Sequence, residues 1–322
     1  MNPLAHTQRD HGGGVDAAVA HYGGVRDDWL DLSTGINPIA YPVGELGPNV
    51  WAALPDTAAM ERLLTAARTF WDVPKGATII AAPGTSAIIA LMPMVAKGDV
   101  YIPPPTYNEH AAAFHAFGRR VTDDPAAPIH IYVHPNNPDG RLWDGRCDAR
   151  LTVIDESFCD TNPKISHVAR TVEPGMIVLK SFGKFWGMAG LRLGFAIGRA
   201  ETLLGPPNTP SLWDMLGPWA VSGPALAIGA DALANFAWAA ATRARLTETA
   251  ARLDTFMAHV GAHVVGGTSL FRTYEVPNAN VWRDRFVQHK IWTRTFPYST
   301  QWIRLGLPGD ETAWQRLQRA IE

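Results

Sequence analysis

The feature that most constrains the fold is a series of short apolar runs that alternate with helical segments from residue 77 onward. Nearly continuous apolar runs are typical of strands that are buried on both faces, and helices between such strands indicate a mainly parallel order. The sequence therefore predicts an α/β fold, a mostly parallel sheet sandwiched by helices, with a smaller α+β C-terminal domain. The predicted strands are residues 78–81, 99–102, 129–133, 151–155, 176–179 and 194–197, and the helices between the first of them are 86–96 and 107–117.

The same patterns divide the chain into four predicted parts. Ser222 and Pro224 supply the N-cap and first-turn proline of a long Ala-rich helix. Beyond it, strands are predicted at 268–276, 291–296 and 302–305, with helices at 278–289 and 311–321. The predicted parts are an N-terminal arm (1–40), a large α/β domain (41–222), a linking helix (223–263) and a small α+β domain (264–322).

Composition excludes several classes of protein. The 322 residues are 47% hydrophobic and 18% charged, which is ordinary for a globular protein, and the net charge of −2 gives no general attraction to nucleic acid or anionic membranes. Two cysteines, Cys147 and Cys159, are too few for a disulfide scaffold or a four-thiolate zinc site. The histidines, including His110 and His115, lack metal-ligand spacing and are predicted to lie on a solvated helix face, so no metal is expected.

No segment has the features of a secretory signal or of a membrane span. The N-terminus lacks a basic start followed by an apolar core, and the most apolar runs are interrupted before they reach about 20 residues. We therefore expect a cytoplasmic protein with neither a membrane nor a nucleic acid as partner.

Polar and small residues follow the predicted strands at their carboxyl ends, where open parallel sheets bind ligands. Gly84, Thr85 and Ser86 follow the first strand and open a helix. Backbone N–H groups and the positive end of the helix dipole suit a phosphate at such a position. Asp155 ends the fourth strand with a carboxylate.

Lys184 lies in a polar loop between two apolar runs, flanked by Gly183, Phe185 and Trp186. A lysine that is desolvated by such neighbours loses proton affinity and becomes a nucleophilic amine, which can form a Schiff base. A surface lysine beside a helix is the simpler alternative. Ser181 and Lys184 also fit the S-x-x-K pattern of serine acyl-transfer enzymes, but the S-D-N and K-T-G elements of those enzymes are absent from the sequence.

The spacing of Ser181, Lys184 and Arg192, with Leu193 and Gly194 after the arginine, resembles the active-site lysine segment of pyridoxal-phosphate enzymes of the aspartate-aminotransferase fold. This resemblance implies pyridoxal 5′-phosphate as the cofactor. It implies that Lys184 holds the cofactor aldehyde, while Ser181 and Arg192 bind the phosphate through a hydroxyl and a bidentate cation.

The resemblance extends over residues 84–304 and implies further roles. Tyr107 would stack on the pyridine ring, Asn137 would donate to its phenolic oxygen, and Asp155 would keep its nitrogen protonated. The implied catalytic residues are Lys184, Asp155 and Tyr107, and the implied cofactor contacts are Gly84, Thr85, Ser86, Tyr107, Asn137, Asp155, Ser181, Lys184 and Arg192.

Three positions depart from the family pattern. Phe158 replaces a tyrosine of many transaminases, which removes one phenol contact and argues against a generic transaminase. Asp139 replaces a threonine. Leu54 replaces a tyrosine that reaches the neighbouring subunit's cofactor phosphate, and a leucine cannot donate that hydrogen bond. The resemblance still implies a homodimer.

Within this fold, the segments around His11 and Asn37 most resemble the L-threonine-O-3-phosphate decarboxylases of cobalamin biosynthesis, which are close to histidinol-phosphate aminotransferases. The resemblance implies decarboxylation of threonine phosphate to (R)-1-amino-2-propanol O-phosphate. His11, Asn37 and Arg294 would anchor the substrate phosphate, Arg304 would orient its carboxylate, and Asn137 would also contact the substrate. The alternatives are an aminotransferase for a phosphorylated amino substrate and a non-catalytic protein that binds pyridoxal phosphate.

Overall fold

The computed structural model describes residues 11–146, 148–204 and 210–321, and these residues fall into two compact units. The larger unit contains residues 36–251 and 266–270. The smaller unit contains residues 11–35, 252–265 and the chain from residue 271. The N-terminal segment thus groups with the C-terminal one, and most of the predicted linking helix belongs to the larger unit.

The described residues contain eleven α-helices and thirteen strands. The helices are α1 (Val15–Tyr22), α2 (Pro48–Ala52), α3 (Thr57–Phe70), α4 (Thr85–Val95), α5 (Asn108–Ala116), α6 (Ala200–Leu204), α7 (Leu212–Leu216), α8 (Gly223–Ala234), α9 (Phe236–His259), α10 (Ala279–Gln288) and α11 (Glu311–Arg319). The strands are β1 (Leu30–Asp31), β2 (Thr78–Ala82), β3 (Val100–Tyr101), β4 (Val121–Thr122), β5 (Ile129–Val133), β6 (Leu151–Asp155), β7 (Met176–Ser181), β8 (Gly194–Gly198), β9 (His263–Thr268), β10 (Phe271–Glu275), β11 (Ile291–Trp292), β12 (Arg294–Phe296) and β13 (Ser299–Gly306).

The larger unit is built on a sheet whose strand order, in the described part of the chain, is β2-β8-β7-β6-β5-β3-β4. The pairs from β7 to β4 are parallel, whereas β8 runs antiparallel to both β2 and β7. The predicted mostly parallel sheet is therefore confirmed. β8 reverses because the loop that contains Lys184 holds only a short 3₁₀ turn, and a parallel return would require a longer crossover.

Helices pack on this sheet through a continuous apolar core. Ile88 and Met92 of α4 and Phe114 of α5 are buried in one cluster with Ile131 and Val153 of the strands. Each such side chain contributes roughly 1.5–3 kcal/mol of burial. This packing fixes the first turn of α4 at the carboxyl end of β2, where the sequence predicted a phosphate site.

The smaller unit combines a two-stranded parallel pair with an antiparallel sheet. Leu30 of β1 pairs with Ile291 of β11, and β13 pairs with both β10 and β12. The predicted C-terminal helices are present as α10 and α11, and the predicted strand 302–305 lies within β13. The predicted strand 268–276 covers β10 and only the last residue of β9, and the predicted strand 291–296 is divided into β11 and β12, which belong to different sheets.

The predicted linking helix is interrupted. α8 ends at Ala234, and the side chain of Asn235, between the two helices, accepts a hydrogen bond from Trp238 N at 3.0 Å, which caps the start of α9. No single helix among the described residues is long and apolar enough to cross a membrane, and α8 and α9 meet the length and composition only as a pair bent by 77°.

Candidate active site

A cavity lies at the carboxyl ends of the parallel strands of the larger unit. It is bordered by the start of α4 and by the loops that follow β3, β5, β6 and β7. All nine residues predicted to bind the cofactor line it, although their roles stay predictions. They are Gly84, Thr85, Ser86, Tyr107, Asn137, Asp155, Ser181, Lys184 and Arg192.

One corner of the cavity combines a helix N-terminus with an arginine. Gly84 precedes α4 with φ +89°, and a Cβ atom there would lie 2.6 Å from Arg192 Nη2. A Cβ atom on Gly194 would lie 2.3 Å from Thr85 N. Gly84 therefore leaves room for the Arg192 guanidinium, and Gly194 lets β8 approach the first turn of α4. A guanidinium beside a helix N-terminus suits a phosphate.

Asp155 provides a buried anion on the cavity wall, with only 2% of its surface exposed. Its Oδ1 accepts hydrogen bonds from Ser157 N at 3.0 Å and Ser157 Oγ at 2.5 Å, and its Oδ2 lies 3.0 Å from His110 Nε2. Burial alone would raise the pKa of Asp155, but these contacts with His110 and Ser157 together hold it below its ordinary value. Asp155 is therefore a carboxylate at neutral pH.

The prediction that His110 lies on a solvated helix face is wrong, because His110 is fully buried on α5. Its face of the helix, with Ala113 and Phe114, packs toward the sheet. The spacing of His110 from Ala113 and Phe114, three and four residues along the predicted helix, could have indicated a shared apolar face. Ser157 was also missed, although a serine two residues after an aspartate is well placed to donate to its carboxylate.

Lys184 is half-buried in the loop after β7. Its carbonyl oxygen accepts hydrogen bonds from Asn37 N at 3.0 Å and from Gly187 N at 3.2 Å. Its Nζ lies 5.7 Å from the centroid of the Phe158 ring. The loop is thus fixed through its backbone, with the amine facing the cavity beside an aromatic ring.

A stack of three buried or partly buried aromatic rings packs against this loop. The Trp186 ring is stacked between Phe182, with centroids 5.1 Å apart, and Trp238, with centroids 5.2 Å apart. Phe182 and Trp186 are fully buried. This packing restricts the backbone on both sides of Lys184.

Asn37 does not line the cavity. Its amide nitrogen donates to Phe185 O at 2.9 Å, and its Oδ1 accepts from Ile39 N at 3.1 Å and from Arg245 Nη2 at 3.2 Å. Both ends of the amide are therefore engaged within the larger unit, and the side chain holds the lysine loop. This placement does not favour the predicted contact with the substrate phosphate.

The two asparagines of the loop after β5 have different environments. Asn136 is buried and bonded to Thr106 Oγ1, Pro105 O and Asp139 Oδ1 at 2.6–2.9 Å, so it builds the turn. Asn137 lines the cavity. The departure at Asp139 is compatible with this turn, because its carboxylate also accepts from Arg141 N.

The other predicted substrate residues belong to the smaller unit, and their roles stay predictions. His11 is exposed. Arg294 is on β12, with its guanidinium 5.5 Å from the centroid of Phe296. Arg304 is buried on β13 and donates to Ser33 O at 2.5 Å.

Glu156 and Lys180, which adjoin Asp155 and Ser181 in the sequence, form a buried ion pair. Lys180 Nζ lies 2.6 Å from Glu156 Oε2 and 3.5 Å from Asp160 Oδ1, and all three side chains are almost completely buried. Burial alone would raise the pKa of Glu156, but the Lys180 charge holds it below its ordinary value. Because strand residues alternate between faces, this pair lies on the face opposite the cavity side chains.

Comparison with known proteins agrees with this arrangement. The family model of class I and II aminotransferases matches residues 133–321. A threonine-phosphate decarboxylase from Sinorhizobium sp. is 37% identical, and one from Pseudomonas aeruginosa is 34% identical, each over 97% of this chain and 97% of the relative. The chain belongs to the class I and II aminotransferase family.

Solved structures show the same fold. A histidinol-phosphate aminotransferase from Sinorhizobium meliloti, solved with pyridoxal-5′-phosphate, has a TM-score of 0.77 at 15% identity and covers 100% of this chain and 97% of that one. L-threonine-O-3-phosphate decarboxylase from Porphyromonas gingivalis has a TM-score of 0.67 at 15% identity, with coverage of 90% and 97%.

Members of the class I and II aminotransferase family use pyridoxal phosphate. The residues of the cavity fit this group. Arg192 and the start of α4 suit the cofactor phosphate, and Gly84 leaves room for the arginine there. The ionised Asp155 suits the ring nitrogen of the cofactor, and the Lys184 amine suits its aldehyde.

Proposed function

We propose that the protein is a pyridoxal-phosphate-dependent threonine-phosphate decarboxylase, which converts L-threonine O-3-phosphate to (R)-1-amino-2-propanol O-phosphate in cobalamin biosynthesis. The observation that carries the proposal is the full-length match to two threonine-phosphate decarboxylases at 37% and 34% identity. A histidinol-phosphate aminotransferase from Mycobacterium bovis matches less well, at 29% identity over 67% of this chain.

The cavity residues have distinct parts in holding the cofactor. Gly84, Thr85, Ser86, Ser181 and Arg192 would bind its phosphate. Tyr107 would stack on the ring, Asn137 would donate to the phenolic oxygen, Asp155 would bind the ring nitrogen, and Lys184 would hold the aldehyde. When bound, the cofactor supplies an electron-withdrawing ring that takes up the electron pair of the bond broken at the substrate Cα.

The protein's own groups decide which bond breaks by orienting it perpendicular to the ring. Arg304 would hold the substrate carboxylate out of the ring plane, and His11 and Arg294 would bind the phosphate on the side chain. Lys184 Nζ, or a water molecule, would return a proton to Cα after CO₂ leaves. Phe158 offers no phenol group next to Lys184, which distinguishes this site from that of many transaminases.

A cytoplasmic location is proposed from the sequence alone, whereas exposed apolar side chains of the larger unit support a further proposal, that the enzyme is a homodimer. Trp51 and Leu54 expose 68% and 67% of their surfaces, and Trp213 and Trp219 expose 50% and 59%. Large apolar side chains that are exposed together are typical of protein interfaces. Sedimentation equilibrium of the purified protein tests this, and a monomer at micromolar concentration would refute it.

Product analysis separates the proposed activity from its alternatives. The loaded enzyme is incubated with L-threonine O-3-phosphate alone, and we expect CO₂ and the amino-alcohol phosphate in equal amounts. Histidinol phosphate with 2-oxoglutarate serves as the competing reaction, and glutamate formation there without CO₂ from threonine phosphate would identify an aminotransferase. Binding of pyridoxal phosphate without either reaction would identify a non-catalytic protein.

Substitution of the lysine tests the site itself. Lys184→Ala is expected to abolish both turnover and the visible absorbance of covalently bound cofactor, while Lys75→Met, at an exposed turn, should preserve both. Persistence of the covalent absorbance in Lys184→Ala would refute the assignment of Lys184.

A further inference from the structure

The carboxylate of Asp155 accepts three hydrogen bonds, two on Oδ1 and one on Oδ2. A carboxylate has two oxygens with about four acceptor positions. Ser157 fills both positions on Oδ1, one with its backbone N–H at 3.0 Å and one with its hydroxyl at 2.5 Å. His110 Nε2 fills one position on Oδ2. One position, on Oδ2, is left for a further donor.

We propose that Ser157 is a positioning residue that directs the cofactor ring nitrogen to Oδ2 of Asp155. By occupying Oδ1, its hydroxyl leaves a single acceptor position and so fixes the direction from which an N–H group can bind. The inference rests on the proposed cofactor site, and it concerns a residue for which family resemblance gave no role.

The location of Ser157 supports an effect on the ligand rather than on folding alone. Ser157 lines the cavity beside Asp155, and its only described side-chain hydrogen bond is the one to Oδ1. A charge-assisted hydrogen bond of 2.5 Å holds the carboxylate in one rotamer. Without the hydroxyl, one acceptor position on Oδ1 is open to water. The carboxylate is then held less firmly, and either of its oxygens can accept from the ring nitrogen.

Removal of the hydroxyl can be isolated because the backbone contact stays. In Ser157→Ala, the bond from residue 157 N to Oδ1 is retained and only the Oγ bond is lost. Ser157→Thr keeps a hydroxyl and is expected to behave like the wild type. Ser166→Ala is a matched control, because Ser166 Oγ donates to the neighbouring carboxylate of Glu156 at 2.6 Å but does not line the cavity.

The test compares two ligands of the apoprotein, pyridoxal phosphate and its 1-deaza analogue, in which a C–H group replaces the ring nitrogen. Dissociation constants are measured by equilibrium titration of tryptophan fluorescence. We expect Ser157→Ala to bind pyridoxal phosphate about tenfold more weakly and to bind the analogue as the wild type does. Ser166→Ala should bind both ligands like the wild type, and Asp155→Asn should lose the preference for the ring nitrogen.

Each other outcome has a definite meaning. Equal weakening of both ligands in Ser157→Ala would show a merely structural role and overturn the inference, as would no change with either ligand. If the wild type binds the analogue as tightly as pyridoxal phosphate, Asp155 does not recognise the ring nitrogen and the inference fails. If the wild type binds neither ligand, the proposed cofactor site itself is refuted.

Discussion

The buried cation next to the active site gives a sharp stability prediction. Lys180 is enclosed by Glu156 and Asp160, and its Nζ is also 3.4 Å from Ser166 Oγ. Asp160 accepts a hydrogen bond from Trp71 Nε1 at 2.9 Å, and so the network joins the end of α3 to the sheet. Lys180→Met removes the positive charge but keeps a stem of similar volume, which limits the cavity that is created.

The expected magnitude follows from the two carboxylates that would remain buried without their cation. Removal of one partner from a buried ion pair typically costs about 3–5 kcal/mol. Natural proteins are stable by only about 5–15 kcal/mol, so the variant should lose a large part of its free energy of unfolding. Lys180→Met/Glu156→Gln removes the cation and the nearer of the two carboxylates, and it should recover at least half of that loss.

The loss should depend on pH in a direction that the pKa of Glu156 determines. In the wild type this pKa is lowered, so the contribution of Glu156 is present above its ordinary pKa and is lost as the pH falls through the lowered value. In Lys180→Met, burial without the cation raises the pKa of Glu156, and the folded protein binds a proton that the unfolded chain does not. The deficit relative to wild type should therefore shrink between about pH 8 and about pH 5.5.

Urea unfolding of the apoproteins at the two pH values measures these differences. Lys75→Met is the matched control and should stay within about 0.5 kcal/mol of the wild type, because Lys75 is exposed. A Lys180→Met variant that loses less than about 1 kcal/mol, or whose deficit grows as the pH falls, would refute the argument from buried charge.

Three further predictions concern separate positions. Gly84→Ala should weaken cofactor binding at least about tenfold in the fluorescence titration, because a Cβ atom would meet Arg192 and the position has φ +89°. Gly44→Ala is the control and should bind the cofactor normally, because the added atom meets nothing within 4 Å. Because burial raises the pKa of the Cys159 thiol, iodoacetamide should modify Cys159 only after denaturation, and peptide mass spectrometry that finds rapid native labelling would contradict this. Asp56→Ala removes the cap of α3, a hydrogen bond to Ala59 N at 2.8 Å, and should cost about 1 kcal/mol in urea unfolding, so an unchanged midpoint would show that the cap contributes nothing.

Much of the fold could be predicted because apolar runs determine strands that are buried on both faces. The predicted strands 129–133 and 151–155 coincide with β5 and β6, and the other four predicted strands of the main sheet differ from β2, β3, β7 and β8 only at their ends. The two-residue strand β4 was not predicted. The strand ends also located the cavity, since open parallel sheets place ligands there.

Other features depend on contacts between distant residues, which a linear pattern does not contain. The burial of His110 depends on which face of α5 meets the sheet, and the antiparallel direction of β8 depends on the length of a loop. Asn37 has the side chain of a ligand-binding residue, but its amide is engaged by Phe185 and Arg245, which come much later in the sequence. The periodicity of apolar residues identifies helices and strands, whereas the contact partner of a given side chain is determined by the tertiary structure.

The pairing of β1 with β11 has a consequence for the order in which parts of the protein fold during synthesis. Residues 36–251 of the larger unit emerge from the ribosome as one continuous run, whereas Leu30 can pair only after Ile291 has been synthesised. At roughly 5–20 residues per second, that delay is on the order of tens of seconds. The early segment therefore spends this time with its strand unpartnered, and completion of the smaller unit is expected to be the last event of biosynthetic folding.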